Sequence, residues 1–306
     1  MIIKGKKIWL NGKMVDWEEA KVHIISDTFC YGYGVFEGIR CYKTGEGRAV
    51  FRLRDHLERL IKSGLVLYLN IAYSLDELTE AVHETVKANQ FEECYIRPMV
   101  YVSSYYESGG DFRNIVPDVA IAVWDWGHYY DEKTLTKGIR VKTASYARHH
   151  VNIHMTKSKA FANYLNFALA RGEAIRAGFR EGLLLDTNGC VAEGSVDNVF
   201  MVKKGELITP PLTHILAGIT RDSVMMIAKD QGIPCREELF TRDQLYMADE
   251  VFFTGTAAEI APISEVDYIQ IGDGTPGPIT KELAELFFDA ARGNNENYSQ
   301  WLSFVD

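Results

Sequence analysis

The chain has 306 residues, 47% of them hydrophobic and 25% charged, which is typical of a folded globular protein with one large or two modest domains. Its formal net charge of −9 and its lack of a lysine- and arginine-rich cluster argue against nucleic acid as a partner, because phosphate binding needs grouped basic side chains. The first residues lack the apolar core of a signal peptide, and no run approaches about 18 apolar residues. We therefore expect a soluble, cytoplasmic protein with no membrane partner.

The first part of the chain predicts strands. Asn11-Gly12 stands between two short apolar runs, which is the pattern of a two-residue hairpin. A second hairpin is predicted from the apolar runs at residues 35–42 and 49–51, which flank the turn-rich residues 44–47.

Two helices and two strands are predicted next. Apolar residues recur at helical spacing over residues 57–65, a segment that includes Arg59, and Ser74 with Glu77 forms a capping box for a second helix. A strand over residues 95–102 follows. Its alternation places the aromatic hydroxyl of Tyr95 and the guanidinium of Arg97 on one face.

Residues 103–114 predict a loop and residues 118–124 another strand, after which residues 125–138 break the pattern and mark the best domain boundary. Beyond it, a long helix is expected to end at about Ala177, with Gly178 as its cap. Further strands and three shorter helices fill the rest of the chain.

The segment Thr156–Tyr164 places two lysines ahead of this long helix. A buried lysine amine with a lowered pKa can form a Schiff base with an aldehyde cofactor and then transfer protons, which makes Lys159 a candidate reactive residue. Two surface lysines in the first turn of a helix would give the same pattern. Local spacing does not choose between Lys157 and Lys159.

A carboxylate, Glu193, lies between two predicted strands beside glycine and serine. In a tight polar loop it could simply accept hydrogen bonds from backbone amides. Alternatively, it could stand beside the ring nitrogen of pyridoxal phosphate, where a negative charge keeps that nitrogen protonated and the ring a good electron sink.

Three further places could bind a phosphate or approach a ligand closely. Residues 216–222 put a glycine, backbone amides and a threonine hydroxyl at a helix start, although threonine there is commonly just a helix cap. Small residues follow a strand at residues 254–258, and Arg59 could give a bidentate phosphate contact or be a solvated helix arginine.

Other chemistries find no support in the sequence. The five cysteines are scattered without Cys-x-x-Cys spacing, and the histidines lack metal-ligand spacing to carboxylates, so we expect neither a disulfide framework nor a metal site. The motifs of serine hydrolases, Walker-type nucleotide binding, dinucleotide binding and zinc proteases do not occur.

Taken with residues 31–40, the lysine, glutamate, helix-start and small-residue stretches resemble the branched-chain amino acid aminotransferases, pyridoxal-phosphate enzymes of fold type IV. The resemblance extends from about residue 8 to residue 302. It implies an α+β fold with a small N-terminal α/β domain, a larger C-terminal domain with a barrel-like sheet, and the cofactor between them. We accordingly expect domains at residues 1–124 and 139–306, with a linker at 125–138 and the Schiff-base lysine in the second domain.

The resemblance also implies a role for individual residues. It makes Lys159 the catalytic residue that holds pyridoxal 5′-phosphate covalently, Tyr164 the partner of its phenolic oxygen, and Glu193 the partner of its ring nitrogen. The other cofactor-binding residues that it implies are Arg59, Asn198, Leu216, Gly218, Ile219, Thr220 and Thr256. The substrate-binding residues that it implies are Tyr31, Phe36, Gly38, Tyr95, Arg97, Trp126, Tyr129, Ala257 and Ala258, with Tyr31 reaching in from a neighbouring subunit of a homodimer or larger homo-oligomer.

The activity implied is reversible, ping-pong transfer of the amino group of L-leucine, L-isoleucine or L-valine to 2-oxoglutarate. Arg97, near Tyr31, is the positive group expected to receive a side-chain carboxylate beside an apolar wall. D-amino acid aminotransferase, (R)-amine transaminase and aminodeoxychorismate lyase share the lysine and glutamate, and a vitamin-B6-binding protein without turnover is a further alternative. Tyr95, Arg97 and the run of residues 35–40 favour the branched-chain enzymes.

Two departures from the family pattern stand out. Val196 and Asp197 occupy positions where members commonly have glycine and glutamate, so we expect cofactor packing to differ there. Residues 103–110 do not match the usual glycine-rich turn that closes the active site, which predicts a difference in which substrates enter.

Overall fold

The structure is a computed structural model that describes residues 2–104, 115–127 and 129–305. Its helices, within those residues, are all too short or too polar to cross a membrane. By their contacts the residues form two compact units: the first comprises Met1–Gly127, Ser158–Ala162 and Asp289–Asp306, and the second comprises His128–Lys157 and Asn163–Phe288.

The described residues form strands and helices throughout both units. The strands are β1 (Ile3–Lys4), β2 (Lys7–Leu10), β3 (Lys13–Asp16), β4 (Gly34–Phe36), β5 (Ile39–Thr44), β6 (Gly47–Phe51), β7 (Cys94–Tyr101), β8 (Asp118–Asp125), β9 (Ile139–Thr143), β10 (Glu181–Leu185), β11 (Val191–Gly194), β12 (Asn198–Lys203), β13 (Glu206–Thr209), β14 (Cys235–Glu237), β15 (Glu250–Gly255), β16 (Glu259–Val266), β17 (Ile269–Gln270) and β18 (Leu302–Phe304). The α-helices are α1 (Asp27–Tyr31), α2 (Leu53–Leu65), α3 (Leu75–Asn89), α4 (Glu132–Lys137), α5 (Tyr164–Arg176), α6 (Ile219–Asp230), α7 (Arg242–Tyr246) and α8 (Pro278–Ala291), and short 3-10 helices occupy Trp17–Glu19, Phe161–Asn163 and Glu296–Trp301.

The first unit is built on a sheet in the order β18-β6-β5-β7-β8-β2-β3, with β1 paired to β8 and β4 paired to β7. The hairpin predicted at Asn11-Gly12 is confirmed: β2 pairs with β3, and both turn residues have positive φ, 47° and 85°, as a tight hairpin turn requires. The second predicted hairpin is also confirmed, because β5 pairs with β6 from Cys41 to Thr44.

The predicted single strand over residues 35–42 is instead two strands, β4 and β5, which are separated at Glu37-Gly38. Both pair with β7, and the break faces Pro98 of that strand. The backbone N–H of Glu37 donates to the Pro98 carbonyl at 2.9 Å, but proline has no N–H with which to return the bond. The missing bond interrupts the ladder at Glu37, whose side chain is fully buried.

Helices α2 and α3 close the core of the first unit. The capping box predicted at Ser74 and Glu77 is confirmed at the start of α3. Helix α2 begins at Leu53, so Asp55 lies in its first turn and forms an ion pair with Arg52 rather than capping the helix. The fully buried side chains that these helices share with the sheet include Leu57, Leu60, Leu78, Val82, Val35, Ile39, Val50 and Ile96.

The second unit is built on a sheet in the order β11-β10-β9-β16-β15-β12-β13-β14, with β17 paired to β16. Strand β9 runs parallel to β10 and β16, whereas β10–β11 and β12–β15–β16 are antiparallel. Glu193 lies within β11, opposite Leu184 of β10, and not in a loop as the sequence predicts. The hairpin pairing holds its backbone, so its side chain is directed by the pleat of a strand.

The lysine segment pairs with a strand of the first unit. Lys159 precedes the long helix, because Phe161–Asn163 is a 3-10 turn and α5 begins only at Tyr164. Ala160 forms a β-bridge with Val35, and this pairing is why Ser158–Ala162 packs with the first unit, whereas the predicted C-terminal domain contains it.

Candidate active site

The backbone of Lys159 is held from two sides within the first unit. Its carbonyl accepts a hydrogen bond from the N–H of Phe36 at 3.1 Å, and its N–H donates to Oγ of Ser63 on α2 at 3.1 Å. The hydroxyl of Ser158 donates to the Ser63 carbonyl at 3.0 Å. The lysine is therefore fixed by β4 and α2, two elements far from it in sequence.

The amine of Lys159 is desolvated and surrounded by aromatic and charged groups. Nζ lies 5.4 Å from the centroid of the Phe36 ring. Burial lowers the pKa of this amine, and the positive charges of Arg59 and Arg97 lower it further, against the opposing effect of Glu37. A lysine in this setting is more nearly neutral at physiological pH than an exposed one, which is what a nucleophile or a general base needs.

The other lysine of the segment has a different environment. Nζ of Lys157, in the second unit, donates to the carbonyl of Ile215 at 2.9 Å. Burial also lowers the pKa of Lys157, while the carboxylate of Glu193 raises it. Its amine is thus engaged with the loop that leads to α6, and that Lys159 is the reactive amine stays a prediction.

Arg59 lies on α2 beside Glu37 and His56, a group of residues that we call the Glu37 cluster. Nε and Nη2 of Arg59 donate to the two carboxylate oxygens of Glu37 at 2.6 and 2.8 Å. Nδ1 of His56 lies 2.7 Å from Oε2 of Glu37. Arg59 was a candidate from the sequence, but no sequence pattern predicts its ion pair with the buried carboxylate of Glu37.

Arg97 is stacked among aromatic rings on the face that the alternation of β7 predicts. Its Cζ lies 4.7 Å from the centroid of Phe36, 5.4 Å from that of Tyr95 and 5.5 Å from that of Trp124. Nε of Arg97 is buried and has no hydrogen-bond partner within the described residues. An arginine held by ring faces in this way can offer this N–H to a ligand.

The other predicted substrate residues of the first unit are unequally placed. Trp126 packs edge-on against Tyr95, with ring centroids 4.9 Å apart. Gly38 lies so close to the Tyr95 hydroxyl that a Cβ at this position would clash with it. Tyr31, at the end of α1, is 64% exposed.

In the second unit, Glu193 accepts hydrogen bonds from Arg148, Asn198 and Leu216. Nε of Arg148 donates to Oε1, while the side-chain amide of Asn198 and the backbone N–H of Leu216 donate to Oε2 at 3.3 and 3.2 Å. Arg148 is 2% exposed, so this is a buried ion pair. Charged and amide donors favour the ionised carboxylate. Arg148 was missed by sequence reasoning, since it lies 45 residues from Glu193 and belongs to no motif.

Helix α6 begins beside this carboxylate. Gly218 is its N-cap, and no side chain among the described residues caps the helix. A Cβ at Gly218 would clash with the side-chain oxygen of Asn198, so only glycine lets the helix start come this close. The amides of Ile219 and Thr220 stand in the first turn, where backbone N–H groups and the helix dipole favour an anion.

The remaining predicted residues of the second unit fall at three places. Residues 256–258 form the turn between β15 and β16, where Thr256 and Ala257 are half-buried and Ala258 is buried. Tyr164 begins α5 and packs edge-on against Phe167, with centroids 5.0 Å apart, and the ring of Phe167 faces the guanidinium of Arg148 at 4.8 Å. Tyr129 contacts Tyr130 and lies under Arg171, and burial raises the pKa of its phenol.

The two departures from the family pattern have different outcomes. Val196 packs in a small apolar cluster with Tyr164 and Phe167, and the backbone carbonyl of Asp197 accepts a hydrogen bond from the N–H of Gly194 at 2.7 Å. That cofactor packing differs here stays a prediction. Of the atypical loop, residues 105–110 lie outside the described residues.

Comparison with known proteins gives this arrangement a class. The model of the family "Amino-transferase class IV" matches residues 34–266, a range that includes both Lys159 and Glu193. The branched-chain-amino-acid aminotransferase of Pseudomonas aeruginosa is 45% identical over 300 residues, covering 97% of each chain.

Two crystal structures of branched-chain aminotransferases are similar over the whole fold. The T.th. enzyme with pyridoxamine 5′-phosphate is 45% identical with a TM-score of 0.96, and the Thermoproteus uzoniensis enzyme with norvaline is 45% identical with a TM-score of 0.94. Each comparison covers 99% of this chain and 100% of the other. The chain therefore belongs to the branched-chain-amino-acid aminotransferases, and the predicted fold class and family are confirmed.

Proposed function

We propose that this enzyme transfers the amino group of L-leucine, L-isoleucine or L-valine to 2-oxoglutarate, and that the transfer is reversible. The observation that carries the proposal is the environment of the Lys159 amine: Phe36 provides an apolar ring 5.4 Å from Nζ, and Arg97 lies over the same ring at 4.7 Å. Such a pair can accept an aliphatic side chain against the ring and a side-chain carboxylate at the guanidinium.

The cofactor is pyridoxal 5′-phosphate, and the donor set of the chain fits it. The aldehyde needs a desolvated amine, which Lys159 has, and the ring nitrogen needs a buried carboxylate, which Glu193 has. The phosphate needs cations and amides. Arg59, the α6 start at Gly218, Ile219 and Thr220, and Thr256 are the groups that we assign to it, with Tyr164 at the phenolic oxygen and Asn198 and Leu216 supporting Glu193.

Pyridoxal phosphate, when bound, supplies an electron sink that stabilises negative charge at the substrate α-carbon. The side chains of the protein direct this chemistry. Lys159 would take up the α-proton at Nζ and release it on the cofactor side of the transferred nitrogen, and Glu193 would hold a proton at the ring nitrogen so that the sink stays effective. Phe36, Tyr95, Trp126 and Tyr129 exclude water from the substrate, with Gly38 and the 256–258 turn leaving room for it.

A substrate panel tests this function. The holoenzyme is assayed for amino transfer to 2-oxoglutarate from L-leucine, L-isoleucine, L-valine, D-alanine and (R)-1-phenylethylamine. We expect kcat/KM for L-leucine to exceed that for D-alanine and the amine by more than about tenfold, since a misplaced or missing carboxylate loses more than about 1.4 kcal/mol of transition-state binding. A preference for D-alanine or the amine would indicate a sibling enzyme of the same fold. Bound cofactor without turnover of any of these substrates would indicate a vitamin-B6-binding protein.

We further propose that the enzyme is a homodimer or larger homo-oligomer to which the segment of residues 22–31 contributes. This segment exposes apolar side chains that a monomer would leave in water, namely Val22, Ile24, Ile25, Phe29 and Tyr31. The partner proposed is a second copy of this chain, with Tyr31 of one copy serving the substrate site of the next.

Phe29→Asp, which places a charge at a side chain that is 73% exposed, is expected to shift the protein towards the mass of a single chain in sedimentation. Lys13→Asp, at an exposed position outside the segment, is the control and should sediment like the unsubstituted protein. A monomer already present in the unsubstituted protein would contradict the proposal.

A further inference from the structure

The Glu37 cluster is not explained by cofactor binding alone. Glu37 has no exposed surface, and both of its carboxylate oxygens are used by Arg59 and His56. Burying a carboxylate is costly unless it is paired and hydrogen-bonded. A buried acid beside a predicted phosphate-binding arginine is unexpected, because its negative charge opposes an anion.

The charge state of the cluster follows from its contacts. Burial alone would raise the pKa of Glu37, but the charge of Arg59 and the hydrogen bonds from Arg59 and His56 outweigh it and hold that pKa well below its usual range. Burial lowers the pKa of His56, so the imidazole is neutral and Nδ1 donates its hydrogen to Oε2 of Glu37. Glu37 and Arg59 therefore carry opposite charges that cancel.

This pair lies next to the reactive amine. Glu37 follows Phe36, whose N–H binds the Lys159 carbonyl, and Arg59 lies one helical turn from Ser63, which binds the Lys159 N–H. The charged and titratable groups that act on the amine are Arg59, Glu37, Tyr95 and Arg97, and the charge of Lys159 in turn lowers the pKa of His56. Two of these groups are permanent cations and only one is an ionised acid.

We propose that Glu37 is a positioning residue, which fixes the guanidinium of Arg59 through a two-point contact and cancels its positive charge at Nζ of Lys159. The inference rests on the proposed function, since it assigns Glu37 a task in the covalent chemistry of Lys159. His56 supports the arrangement by donating to the carboxylate without adding charge.

Cancelling this charge has a definite consequence for the lysine. With Glu37 neutral, Arg59 and Arg97 both act on Nζ uncompensated, and protonation at that atom becomes harder. With Arg59 neutral, Glu37 acts alone and protonation becomes easier. With both neutral, the two effects offset each other.

The experiment measures the pH midpoint of the absorbance change of the lysine-bound chromophore, at saturating pyridoxal phosphate, in four proteins. Relative to the unsubstituted enzyme, Glu37→Gln is expected to lower the midpoint by about 1 to 3 pH units and Arg59→Gln to raise it by a similar amount. The double variant Glu37→Gln/Arg59→Gln is expected to return within about half a unit of the starting value.

Glu58→Gln is the matched control, because Glu58 is the neighbour of Arg59 on α2 but is exposed and paired with Lys62. It should leave the midpoint unchanged. Circular dichroism and melting temperature identify any variant that fails to fold, and Glu37→Asp, which keeps the charge, should recover part of the shift.

A purely structural role for Glu37 would move both single variants in the same direction, or move neither, and would overturn the inference. Failure of the proposed function looks different. In that case the unsubstituted protein would form no chromophore at Lys159, or would form one but not transfer amino groups from any amino acid.

Discussion

Replacing Lys159 by alanine is expected to lower the rate of transamination by at least about 10³-fold, which corresponds to about 4 kcal/mol of lost transition-state stabilisation. On the proposed assignment the variant loses two functions at once, because the same Nζ atom would bind the cofactor aldehyde and move the substrate proton. The measurement is the rate of amino transfer from L-leucine, together with mass spectrometry after borohydride reduction, which should show no covalent adduct.

Lys157→Ala is the matched control for this experiment. Lys157 lies two positions away, carries the same side chain and donates to the Ile215 carbonyl. Its loss should leave the adduct at Lys159 in place. Activity should fall by a few-fold at most, because the loop before α6 loses one hydrogen bond, at the Ile215 carbonyl. If Lys157→Ala abolished the adduct and Lys159→Ala did not, the assignment of the reactive lysine would be wrong.

The second large effect is expected at Glu193. Glu193→Gln keeps the shape of the side chain and can still accept from Asn198 and Leu216, but it has no negative charge to hold a proton at the ring nitrogen. We expect kcat to fall by about 10²- to 10³-fold, a typical cost of removing one well-placed electrostatic group from an active site. The adduct at Lys159 should still form, so borohydride should still trap the cofactor on the lysine although the rate of amino transfer has fallen.

Glu193→Gln also leaves Arg148 without its anionic partner, so the melting temperature must be followed. Breaking one half of a buried ion pair can cost about 3–5 kcal/mol, less when the replacement retains a hydrogen-bond acceptor. Glu265→Gln is the control, because it breaks a more exposed carboxylate–arginine pair, with Arg140, in the same unit. Turnover by Glu193→Gln at the unsubstituted rate would exclude the assigned role.

Much of the local structure could be predicted from the sequence, because its causes are local. The Asn11-Gly12 hairpin and the Ser74 capping box depend on residues only a few positions apart. The predicted family followed in the same way from short motifs in a fixed order. Lys159 was distinguished from Lys157 by resemblance and not by local pattern, and in the structure the two lysines have different hydrogen-bond partners.

What could not be predicted depends on contacts between distant residues. The break between β4 and β5 arises opposite Pro98, on a strand far along the chain, so the run at residues 35–42 looks like one strand. Glu37 carries no sign in the sequence of its pairing with Arg59, 22 residues away, and Arg148 carries none of its pairing with Glu193. Hydrophobic periodicity and turn signals do not encode such pairings.

The attachment of Lys159 to Ser63, across 96 residues of sequence, has a consequence for the newly made chain. Contacts of this separation are costly to close and belong to the slower part of folding. Until β4 and α2 pack against the lysine segment, the Lys159 amine is exposed to solvent and lacks neighbouring arginines. It is then expected to react like any other surface lysine. The selective reactivity towards an aldehyde that we propose for Lys159 would thus be acquired only with tertiary structure, which would tie cofactor capture to completed folding.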